Sequence, residues 1–203
     1  GEATIVPRGM GLSRLDGFVS VRDLGGLGRD LGRFAQVAYL CELTDGLLHE
    51  SVADPALFSA LCEGIGRTLD AGADAGVLRR YELGLLRALG LLPALDACAV
   101  CGEAITSGPT VPFEEHHGGA LCLVHGRGAR RVPAGVLETA GRLLAAGEEG
   151  EIDAALRATA ERPASERRAL RDLVQTWLRP HLRAPLRSRE FFAKLGPAVP
   201  DDG

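Results

Sequence analysis

Cys98, Cys101, Cys122 and His125 stand in the pattern C-x2-C-x20-C-x2-H, two chelating pairs separated by a polar insert. Two residues between ligands let a tight turn aim both side chains at one ion, and zinc takes four thiolate or imidazole ligands in a tetrahedron. Gly102 and Gly126 follow directly after the two pairs, where each turn is expected to need a residue tolerant of positive φ. Buried cysteines used merely as small apolar residues would have no reason to recur in two matched pairs. His116 and His117 lie inside the insert and are alternatives for the fourth ligand, while His125 stands where the symmetry of the second pair requires one. Four protein ligands leave no position for an activated water, and the zinc deaminase pattern of H-x-E with P-C-x-x-C is absent. The expected role is a structural Zn(2+) staple, with no catalytic residue assigned.

The second group of chemically capable residues is basic. Net charge is −4 over the chain, but between Leu156 and Leu195 ten basic residues outnumber four acids, a local charge of +6. An anionic partner would go there, unless the charges serve a solvated helix face with internal ion pairs. Arg179, Arg183, Arg187 and Arg189 alternate with Trp177, Leu182, Leu186 and Phe191, a combination able to meet phosphates or an acidic apolar peptide. The helical spacing of the apolar members also fits a core face. Arg127, Arg130 and Arg131 follow the second chelating pair on a loop, where a phosphate contact and simple solvation are equal readings.

The elements that must position these groups are mostly helical. Apolar residues make up 46% of the 203 residues but only nine are aromatic, a Leu, Ala and Val core that suits helix packing. From Asp30 a helix carries Leu31, Phe34, Val37, Ala38, Cys41 and Leu48 at three- and four-residue intervals. Asp54-Pro55 opens a second as N-cap and N1, with Phe58, Leu61, Cys62, Ile65 and Leu69 as its inward stripe. A third runs from about Ala75, with Leu78, Tyr81, Leu85 and Leu89 inward, and stops at Gly90. After the chelating module come helices beginning at Pro133, around Ile152 to Leu156, and through Leu170 to Leu178 before Pro180, then a short one over Ser188–Leu195. Residues 1–28 are glycine-rich with one candidate strand, Gly17 to Val21, which needs a partner outside the chain or lies as an arm on the helices. The expected division is 1–28, a helical domain over 29–196 with a metal module at 96–128, and a disordered tail at 197–203. The glycine run from Gly26 to Gly32 lacks a βαβ context and is not a nucleotide loop.

Thiolate ligands need reduced cysteines, and Cys41 and Cys62 fall within helices, so a cytoplasmic protein without disulfides is expected. No apolar run reaches a membrane-spanning length, and no membrane association is expected.

Several stretches resemble the bacterial recombination mediator family RecO. They are Tyr81 to Gly102, containing LGLLPALDACAVCG, with Gly118 to Cys122 after it, AYLCELTDGLL from Ala38 to Leu48, and LRSREFF from Leu186 to Phe192. The resemblance covers about residues 12 to 195. It implies a non-enzymatic DNA repair protein with an N-terminal OB-fold and a C-terminal helical domain holding the zinc module. The implied partners are single- and double-stranded DNA, RecR, the C-terminal tail of single-strand-binding protein and, indirectly, RecA. The implied location is the nucleoid. Nearly the whole barrel is missing, with only Leu12 to Val21 matching a last strand, and His125 stands where many relatives carry a fourth cysteine. The competing class is a zinc-stapled helical adaptor that touches only proteins. Salt-sensitive binding to single-stranded DNA separates the two.

Overall fold

The computed structural model describes residues 1–9, 12–22, 24–48, 54–105, 108–188 and 191. Its elements are β1 (Glu2–Val6), β2 (Arg14–Val19), α1 (Leu31–Leu47), α2 (Pro55–Ala71), α3 (Ala75–Ala88), β3 (Thr110–Glu114), β4 (Gly119–Ala120), β5 (Arg130–Pro133), α4 (Ala134–Ala145), α5 (Glu149–Ala160) and α6 (Ala164–Leu178). The protein is mainly helical, as its composition predicts.

Short acidic side chains begin the first three helices. Asp30, Asp54 and Asp74 accept from the backbone N–H groups of Arg33, Leu57 and Val77 at 3.0, 3.0 and 2.8 Å, each satisfying a donor that the first turn leaves unpaired. Glu151 reaches back to the N–H groups of Gly147 and Glu148 to start α5. Gly90, at φ +70°, lets the chain leave α3 toward the metal module.

Helix α3 lies at the centre, touching all five other helices. Val77, Leu78, Tyr81, Leu83, Leu85 and Leu86 are buried along it. The faces of α1 and α2 follow the periodicity reading in part: Val37 is buried and Leu48, Leu61 and Ile65 pack against the core, while other members of the two stripes face outward. Leu31 and Phe34 are 59% and 47% exposed and Cys41 is exposed, whereas Ala35, Tyr39, Leu40 and Leu43 are buried. On α2, Phe58 and Cys62 face outward and Leu57, Gly64 and Thr68 are buried. The reason is close helix packing over small residues: a Cβ on Gly64 would stand 3.1 Å from Leu40 Cδ1. Leu40 thus seats on Gly64, and the exposed Phe34 and Phe58 lie outside the buried faces.

A polar cluster sits inside this core. Glu82 is fully buried, 3.2 Å from the Arg79 guanidinium, and accepts from Tyr39 Oη and from Gln175 Nε2, the latter at 2.9 Å. Burial, followed by the Glu82 charge, raises the Tyr39 hydroxyl well above its ordinary pKa, so it stays a donor.

Two sheets complete the fold. The strand expected near Gly17 to Val21 is β2, and its antiparallel partner is β1 within the same chain, with Ala3 opposite Phe18 and Ile5 opposite Leu15. The second sheet, in the order β4-β3-β5, was not legible beforehand, because its strands span two to five residues. It buries Val111, Phe113, Ala120 and Val132 in the same core as the helices. Of the short helix expected over Ser188–Leu195, Ser188 and Phe191 are helical. Its other residues, Arg189 included, and the tail 197–203 lie outside the described residues.

Candidate metal centre

The sheet and the α3–β3 connection place the four chelating residues. Ala99 N–H donates to Ala120 O at 2.8 Å, and Ala94 pairs with Gly118 and Ala120 through bonds of 2.9 and 2.8 Å. These bonds hold the first chelating turn against β4, which leads into the second. Cys98 O accepts from Gly102 N–H and Cys122 O from Gly126 N–H, both at 2.8 Å, closing the two turns.

The flanking glycines are needed for different reasons. Gly102 has φ +75°, as expected, with open space where a Cβ would go. Gly126 is not among the positive-φ glycines. A Cβ there would lie 2.3 Å from Pro112 Cβ, so this position needs a missing side chain because β3 passes directly over it.

The ligand atoms of Cys98, Cys101, Cys122 and His125 all lie within 4.8 Å of one another. Cys101 Sγ is 4.0 Å from Cys122 Sγ, and His125 Nδ1 is 3.7 Å from Cys98 Sγ and 3.2 Å from Cys122 Sγ. A tetrahedron with zinc bond lengths has edges of about 3.8 Å between sulfurs and about 3.6 Å from sulfur to nitrogen, so the quartet fits one such ion. His117 instead sets Nδ1 2.6 Å from Glu114 Oε2 at the β3–β4 turn, and His116 is exposed there.

The electrostatics suit a cation. Burial would raise the Cys98 thiol, but hydrogen bonds from the backbone of Cys122, Cys101 and Val100 outweigh it and bring its pKa to about 6. At Cys101 a backbone hydrogen bond from Glu103 favours the thiolate. Partial burial and the crowding sulfurs of Cys98 and Cys122 overcome it and raise the pKa. The crowding of sulfurs at one point is what a divalent ion would relieve.

The basic residues divide into two groups. Arg127 is exposed after the second turn, and Arg130 and Arg131 lie exposed on β5 opposite Phe113 and Pro112. Arg179, Arg183 and Arg187 are exposed in the segment after α6, while Leu178 and Leu186 beside them are buried. Arg183 Nη2 donates to Leu48 O at 2.6 Å, and Glu42 accepts from the N–H groups of Arg187 and Ser188 at 2.8 Å each. The segment therefore presents guanidinium groups over apolar side chains turned inward. Trp177 Nε1 donates to Leu91 O at 2.6 Å, and its ring meets Phe113 edge-on at 5.6 Å between centroids. This junction of metal module and helices was not foreseen, because the helical pattern identifies Trp177 as inward-facing without naming what it faces.

A helical body with an inserted Cys3His chelating module defines the class of protein. The family described as Recombination protein O C terminal matches residues 28–190. The DNA repair protein RecO of Anaeromyxobacter dehalogenans (strain 2CP-C) is 38% identical over 194 residues, covering 94% of this chain and 74% of the relative. RecO of Symbiobacterium thermophilum is 34% identical over 194 residues, covering 92% and 74%, and that of Myxococcus xanthus (strain DK1622) 34% over 188, covering 90% and 71%. This chain belongs to the RecO family of DNA repair proteins. No described helix is long and apolar enough to cross a membrane.

Proposed function

We propose that this chain is the helical body of a non-catalytic recombination mediator, which contacts single-stranded DNA and the acidic tail of single-strand-binding protein through its basic C-terminal segment. RecR, double-stranded DNA and RecA loading belong to the same reading, in the bacterial cytoplasm at the nucleoid. Zinc is the metal of Cys98, Cys101, Cys122 and His125, holding the module's turns without entering chemistry. The observation that carries the reading is the exposed trio Arg179, Arg183 and Arg187 on a chain of RecO kinship.

The β1–β2 hairpin is the end of a larger N-terminal barrel. Ala3, Ile5, Leu15 and Phe18 share one face by register, and Ile5, Leu15 and Phe18 are about 60% exposed. A two-stranded ribbon is at best marginal alone, so this face calls for further strands. Residues 29–196 form the helical domain, with the metal module at 96–128.

The test is a fluorescence titration of an oligodeoxythymidylate across a salt series. Three arginine–phosphate contacts give a log–log slope of about −2, and the Arg179→Ala, Arg183→Ala, Arg187→Ala variant should lose most of it. The zinc-stapled adaptor reading is favoured by the excess of acids before Leu156, and a salt-independent titration or one without binding would select it.

A further inference from the structure

Trp177, the only tryptophan, joins the metal module to the basic segment. On one side its ring packs on Phe113 of β3, and its indole N–H holds Leu91 O in the connection that runs from α3 to the first chelating turn. On the other side α6 passes without a break into the 3-10 turn Arg179–His181, which begins two residues after Trp177.

The chelating turns have little apolar packing of their own. Val100, Leu123 and Val124, three of the four residues between the ligands, are 49%, 64% and 67% exposed. Hydrogen bonds and the ligands must therefore hold these turns in place, and such poorly packed regions open first. Bonds that would carry a loosening inward include Leu121 N–H to Pro112 O at 2.9 Å, beside Phe113, and Ala94 N–H to Gly118 O at 2.9 Å, near Leu91. The far end of the basic segment is fixed by Glu42 of α1 and by the Arg183 bond to Leu48 just after it, whereas the near end is held to the metal module through Trp177.

We propose that metal binding at the Cys98, Cys101, Cys122 and His125 quartet and anion binding at Arg179, Arg183 and Arg187 are coupled through Trp177, each strengthening the other. The inference rests on both the metal and the DNA readings above. With the metal in place, Phe113 and Leu91 hold Trp177, and the segment that follows α6 presents the arginines in one arrangement. Without it the turn frays and ordering it becomes a cost of binding. Linkage makes the effect reciprocal, so an anion bound at the segment tightens the metal by the same factor.

The experiment compares the zinc-loaded full chain with chelator-treated protein, using zinc stoichiometry, tryptophan emission, hydrogen exchange over 179–188 and affinity for an oligodeoxythymidylate. Metal removal should shift the emission, speed exchange over 179–188 and weaken oligonucleotide binding about tenfold. Trp177→Phe, which keeps a ring but loses the N–H donor, should bind zinc and show a smaller difference between the two states in exchange over 179–188 and in oligonucleotide affinity, the two readouts that do not need the indole. Phe113→Leu provides a second uncoupling variant. Equal exchange and equal affinity with and without one bound zinc would overturn the coupling alone. A chain that binds no zinc would overturn the metal reading and the coupling with it. Zinc binding without oligonucleotide binding in either state would remove the DNA reading and the coupling while leaving the metal.

Discussion

Replacing each glycine that follows a chelating pair should weaken zinc binding for a different reason, and the two reasons predict different rescues. At Gly102 there is room for a methyl group, but φ is +75°. Alanine in that region costs about 1–2 kcal/mol, which loosens the metal by about five- to thirtyfold if all the strain falls on the bound state. Asparagine tolerates the left-handed region, so Gly102→Asn should recover most of the loss. At Gly126 the backbone is ordinary and the obstacle is Pro112 Cβ, 2.3 Å from the new methyl where carbon atoms settle at about 3.5–4.0 Å. Proline cannot swing aside, so β3 and the second turn must separate by more than 1 Å. Overpacking of this kind costs about 1–3 kcal/mol, up to about 150-fold in zinc affinity, and Gly126→Asn should be worse than Gly126→Ala. Competition against a colorimetric chelator measures all four variants. Wild-type affinity in Gly126→Ala, or a Gly102→Asn variant no better than Gly102→Ala, would refute the reasoning.

Two further predictions concern the helical body. Glu82→Gln leaves Arg79 buried without a full counter-charge and should cost about 3–5 kcal/mol, lowering Tm by roughly 6–20 °C in calorimetry. A loss below about 0.5 kcal/mol would mean that the pair is not ionised. Burial would raise the Glu42 carboxyl, but the Ser188 hydroxyl, the Ser188 and Arg187 N–H groups and the Arg187 charge outweigh it and hold its pKa below the ordinary value. A lowered folded pKa makes this contribution fully present above the unfolded value of about 4.5 and lost as pH falls through the folded one. Exchange of the Arg187 and Ser188 amides should accelerate in that acid range relative to the body, and Glu42→Gln should abolish the pH dependence.

What the sequence alone determined were features carried by neighbours in the chain. Asp30 and Asp54 mark helix starts because a cap acts over three residues, and Gly90 marks an end because its φ is a local property. The chelating quartet is legible for the same reason, since each pair is one turn. Only the tertiary structure decided which faces of α1 and α2 are buried. Apolar residues surround much of each helix, and the choice of Leu40 over Phe34 goes with Gly64 admitting a close neighbour. The same holds for Glu82, whose burial needs partners 43 and 93 residues away, and for Gly126, whose constraint comes from Pro112 on β3. The union of the quartet into one site required the short strands of β3 and β4, too brief for any periodicity, to bring turns 21 residues apart within 4.0 Å. Local conformational preferences can be written in neighbouring residues, whereas close contacts between distant segments depend on how all the helices pack around α3.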